Sequence, residues 1–226
     1  MTVRQWGRRA MTSSLLETLP LPQRLALAYA PAKARGMLLP LFAFDARLGH
    51  ALRQANEPIM AQMRLAWWRD QLALEPAARE RSDELVRALD PLDGARKALG
   101  ALVDGWELLL SEELGTKTAT AFASARAQAI LASARLMGAA DPAEAILIAG
   151  QRWALADLAA GLSDAEERAM IVGIAPAEGR PPLSRSLRPV AVLDGLARRS
   201  LAAGGLPLLE GPASALAAMR LGLLGR

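Results

Sequence analysis

The chain has 226 residues and a mass of 24.0 kDa, enough to bury a substantial core. Hydrophobic residues make up 52% and aromatics only 4%, so the apolar mass is Ala and Leu, strong helix formers, and the composition reads all-α. The lack of Cys excludes disulfides, thiolate metal sites and a cysteine nucleophile; the single His excludes multi-histidine metal sites; and a net charge of +4 on scattered Arg, with no basic stripe, speaks against a nucleic-acid partner.

Arg4, Arg8 and Arg9 make the first residues basic, and residues 1–20 read as a partly frayed extension of a single domain covering 1–226. Ser14 with Glu17 forms a capping box, and Pro22 suits the first turn of a helix. A long helical pattern covers 32–54 with a bend expected at Pro40. Glu57-Pro58 opens the next helix, 59–74, in which Met60, Met63 and Trp67 share a stripe that reads as core packing. Asp83 caps a short helix ending near Leu89, and residues 93–113 and 117–137 form two more, separated by Gly115.

Asp141-Pro142 reads as cap and first turn of a helix running to about Leu162, and Ser163 with Glu166 as a second capping box. The 141–162 helix is apolar around most of its circumference, which places it at the protein's centre. Its polar exceptions, Gln151, Arg152 and Asp157, must therefore find partners or face a cavity, with Arg152 as a counter-charge for Asp157. Gly173, Pro176, Gly179, Pro181 and Pro182 mark a loop, and helices over 189–201 and 212–224 close the chain. No apolar run approaches the ~18 residues needed to span a bilayer.

Met63-Arg-Leu-Ala-Trp-Trp-Arg-Asp70, preceded by Ala28-Tyr-Ala-Pro31 and Leu41-Phe-Ala-Phe44 and followed by Val103-Asp-Gly-Trp-Glu107 and Arg188-Pro-Val-Ala-Val-Leu193, resembles the squalene/phytoene synthase family over about residues 21–201. The resemblance implies an isoprenoid-synthase-like helical bundle around a central apolar cavity. Active members join two prenyl diphosphates, using Mg²⁺ held by two Asp-rich motifs to neutralise the leaving diphosphate. Here the first motif's positions hold Gly49, His50 and Arg53, and the second's hold Gly161, Asp164 and Ala165.

The expectation is thus a catalytically degenerate relative with no catalytic residue and no cofactor, Mg²⁺ entering only if a reduced metal site supports prenyl transfer. Asp157 and Asp164, seven apart, are the candidate metal remnants, sharing a helix face. Arg47, His50 and Arg53, with Gln151 and Asp157, are the candidate substrate-binding residues for an isoprenoid diphosphate or lipid. The branch it is similar to includes a mitochondrial assembly factor for respiratory NADH dehydrogenase, which implies respiratory-complex proteins as partners and a cytoplasmic protein in contact with the inner face of a membrane.

Overall fold

Ala- and Leu-rich segments punctuated by Pro, Gly and Asp fold as helices throughout; among the described residues there is no strand. The computed structural model describes residues 14–55, 57–110, 114–177, 179, 182–209 and 211–224. The expectation for the basic N-terminus falls outside these residues, whereas the helix expected over 93–113 begins at Arg96 and ends at Leu108, with Leu109 as its C-cap.

After a helical turn at 14–17, α1 (Leu21–Ala28) leads into α2 (Ala32–Arg53). The latter continues through Pro40, whose missing N–H leaves the carbonyl of exposed Gly36 without its helical donor. Next come α3 (Pro58–Ala73), the short α4 (Glu84–Ala88), α5 (Arg96–Leu108) and α6 (Thr116–Leu136). The chain ends with α7 (Ala143–Gly161), α8 (Ala165–Ile174), α9 (Arg188–Ala202) and α10 (Gly211–Leu224).

Helix α7 lies between α6 and α9, with α8 folding back against it. On the other side α5 packs on α6 and α3, α2 crosses α6, and α1 and α10 cover α9. The buried apolar side chains form one continuous cluster, with Trp153 of α7 against Phe42 of α2 at 5.3 Å between ring centres.

Local signals differ from expectation at two helix starts. Asp83 caps α4, accepting from the amides of Leu85 and Val86. At α8 the cap is Asp164, one residue beyond Ser163: its carboxylate accepts from the amides of Glu166 and Glu167 and needs no partner box. Asp141 does not cap α7. It accepts instead from the amide and hydroxyl of Ser184, at 2.5 and 2.7 Å, tying the late loop to the start of α7.

The Met60, Met63 and Trp67 stripe is not core. These residues are 44%, 62% and 37% exposed, and α3 buries Ala61, Leu65, Trp68 and Leu72 instead. Both stripes repeat at helical spacing, so periodicity alone does not say which one faces inward.

The α6–α7 crossing relies on Gly150. A Cβ there would lie 2.9 Å from Cα and Cβ of Ala127. Gly150→Ala should therefore destabilise the fold by about 1–3 kcal/mol through overpacking, despite alanine's better helix propensity. Gly100→Ala, at an α5 position with nothing within 4 Å, should instead stabilise by about 0.5–1 kcal/mol. Urea melts of the two variants should move in opposite directions.

Candidate functional site

A cavity of about 510 Å³ opens between α1, α2, α5, α6 and α7 and the loop at 207–209. Small residues of both α2 and α7 line it, Ala46 and Gly49 from the one and Ala160 and Gly161 from the other. Its walls are apolar, with Leu52, Leu158, Leu162, Leu208 and Leu209, while its inner end carries charge.

That charge centres on Arg126, the one charged residue on α6 between Ala119 and Ala134. Its side chain is 3% exposed. Nε donates to Oδ2 of Asp45 at 2.9 Å, Nη2 donates to the same oxygen, and Nη1 donates to Asp157 at 2.8 Å. Its Cζ lies over the Trp153 ring, 3.9 Å from the ring centre, and Trp106 and Phe122 lie further out at 5.9 and 5.7 Å. Trp106 donates its indole N–H to the other oxygen of Asp45 at 2.9 Å.

One guanidinium thus binds two carboxylates in an aromatic box. Burial works against the Arg126 charge, but Asp45 and Asp157 outweigh it and hold the group above its ordinary value. Burial pushes the Asp45 carboxyl up, opposed by Arg126 and Trp106 and reinforced by the nearby Asp157 charge.

The structure separates the residues expected to bind substrate together. Arg53 and Asp157 line this cavity. Arg47 and His50 line a different groove, beyond α2, where Arg47 lies 3.5 Å from Asp83. At 100° per residue, Arg47 and Arg53 sit about 120° apart around the helix, so its axis divides the trio. Gln151 is half-buried and borders neither space.

Asp157 and Asp164 do not share a helix face, because α7 ends at Gly161 and Asp164 caps the next helix. Nor is Arg152 the counter-charge of Asp157. Five residues place the two on well-separated sides of α7, and Arg152 is buried against Asp194 at 2.5 Å and the carbonyls of Pro176 and Gly179.

Magnesium does not fit this donor set. Gly49, Arg53 and Gly161, where the resemblance would call for carboxylates, all line the cavity without one. The two carboxylates that do face it are bonded to Arg126. Among the described residues no group of three or more His, Asp or Glu could hold a metal ion.

The sequence reading missed Arg126, Trp106 and Gln23. Gln23 of α1 is buried in the cavity wall, and its side-chain oxygen has no hydrogen-bond partner among the described residues. The available signal was Arg126 itself, a charge in an otherwise apolar stripe of Ala119, Phe122, Ala123, Ala127 and Ile130. No family model, no curated protein and no solved structure matches the chain.

Proposed function

We propose that this chain is a squalene/phytoene synthase-like scaffold without metal-dependent prenyl transfer, and that its cavity accommodates an isoprenoid or similar lipid chain. The observation that carries the reading is the double ion pair of Arg126 with Asp45 and Asp157. A fixed internal cation, Arg126, pairs with both carboxylates, so they are neutralised without Mg²⁺.

The volume falls within the ~300–1,000 Å³ of ordinary ligand pockets, and the leucine walls suit an extended hydrocarbon. Arg53 offers the charge for an anionic end group, and the Gln23 amide a hydrogen-bonding group for a polar one. A prenyl transferase with a reduced metal site is the weaker reading, since it needs Asp157 free. In the broader role the resemblance implies, such a protein works in the cytoplasm beside a membrane, as a lipid handler or an assembly factor for a respiratory complex. Among the described residues no helix is long and apolar enough to cross a membrane.

Calorimetric titration with farnesyl diphosphate and with farnesol, each with and without Mg²⁺, tests the reading. Both ligands should bind with affinities that Mg²⁺ leaves unchanged. Arg53→Ala should weaken the diphosphate about tenfold, or ~1.4 kcal/mol, and leave the alcohol nearly unaffected. Binding that requires Mg²⁺ and disappears in Asp157→Ala would reinstate the transferase. Failure of both ligands would leave the assembly role.

A further inference from the structure

Helix α3 is apolar on two opposite faces. One is consumed by the core; the other presents Ile59, Met60, Met63 and Trp67, exposed by 53%, 44%, 62% and 37%. An apolar face of this kind is stable in water only at a cost in exposed surface, and contiguous patches of this sort mark interaction sites. Part of the patch is also concave. Met60, Met63 and Trp67, with Arg47, His50 and Ala51 of α2, Gln54 just after it, and Arg64 and Trp68 of α3, line a groove of about 690 Å³. Trp67 is held edge-on to buried Trp68 at 4.8 Å between ring centres, so the apolar anchor is pre-positioned.

The charges bordering the groove are of one sign. Arg47 and Arg64 line it and no carboxylate does. Asp83 lies 3.5 Å from Arg47, and among the described residues Arg64 makes no ion pair. The groove's α3 floor, Met60 to Trp67, spans about 10 Å at 1.5 Å per residue, two turns of a partner helix. Met side chains adapt to whatever packs on them, and helix-in-groove recognition uses this combination of apolar floor and charged rim.

From these features we infer that the α2–α3 groove docks an acidic amphipathic helix of a partner protein. Charge complementarity selects that occupant. A second copy would bring arginine rim against arginine rim. The chain's own first 13 residues carry Arg4, Arg8 and Arg9 and no acid. A flat bilayer would not fill a concave groove. The inference is independent of the cavity reading, because the groove lies across α2 from it and shares none of its lining residues.

The test uses the full chain and a fluorescein-labelled synthetic amphipathic helix of about 18 residues, with leucines on one stripe and glutamates flanking it. A control peptide carries lysines in place of the glutamates. Fluorescence anisotropy should show the acidic peptide binding about tenfold or more tightly than the basic one, with affinity falling as salt is added. Met63→Ser and Arg64→Glu, both at exposed positions, should each weaken it about tenfold at unchanged melting temperature and unchanged farnesol binding.

No binding of the acidic peptide, or equal binding of both peptides, overturns the inference. So does tight partition onto phosphatidylglycerol vesicles that Met63→Ser abolishes, which would give the face to a bilayer.

Discussion

Replacing Arg126 with methionine should cost about 3–5 kcal/mol of stability, because it leaves the Asp45 carboxylate buried without its counter-charge. Methionine fills most of the volume, so the loss is electrostatic rather than a cavity effect. At about 2–4 °C per kcal/mol for a chain of this size, the melting temperature should fall by roughly 6–20 °C. The control is Asp45→Leu combined with Arg126→Met. Converting the buried pair to apolar groups removes both desolvation costs, and much of the stability should return. Recovery will be incomplete, since the Trp106 N–H then lacks its acceptor, a cost of about 1–3 kcal/mol. Asp157, half-exposed to the cavity, can hydrate in either variant. Urea denaturation of the wild type, the single and the double variant checks the order. A single variant as stable as wild type would show that the network contributes nothing to the fold. A single variant rescued by Mg²⁺ would show that Asp45 and Asp157 still form a cation pocket once Arg126 is gone.

Much of the helical frame was legible because its signals are local. Asp83, Gly115 and the prolines at 22, 58 and 142 all stand at or next to helix starts. The central place of α7 followed from its all-round apolar sequence. The cavity's chemistry was less legible, since it depends on pairs distant in the chain. Asp45 meets Trp106 and Arg126 across 61 and 81 residues, and Asp157 meets Arg126 across 31. Arg152 was the nearer candidate partner for Asp157, and only the packing of α6 on α7 shows that Arg126 occupies that place. The α3 stripe failed for a different reason. Two apolar faces of one helix satisfy the same periodicity, and what decides between them is the position of α5, which no local pattern encodes.

Placing an aspartate at Gly49, where the proposed family resemblance would call for one, should damage the protein rather than create a metal site. A Cβ on Gly49 would stand 2.8 Å from Cη2 and 3.1 Å from Cζ2 of Trp106, and 3.0 Å from Nη1 of Arg53. The arginine can swing away, but the indole cannot. It is buried, tied through its N–H to Asp45, and packed edge-on to Phe122 at 4.8 Å. Gly49→Asp therefore combines overpacking, about 1–3 kcal/mol, with a new carboxylate one helical turn from Asp45, and a total loss above about 3 kcal/mol is expected. Gly161→Asp is the informative contrast. That position has nothing within 4 Å and is exposed at the cavity's edge, so the same change should shift stability by no more than about 1 kcal/mol. The two glycine positions thus differ in kind: one is closed by a tryptophan, the other is merely empty. Urea melts with and without millimolar Mg²⁺ separate the outcomes. If Gly49→Asp folds at wild-type stability and gains further with Mg²⁺, Trp106 does not close the site and metal-dependent chemistry returns as the leading account. If it is destabilised and indifferent to Mg²⁺ while Gly161→Asp is tolerated, the packing of α2 on α5 excludes a carboxylate at position 49, and admitting one would require remaking that interface.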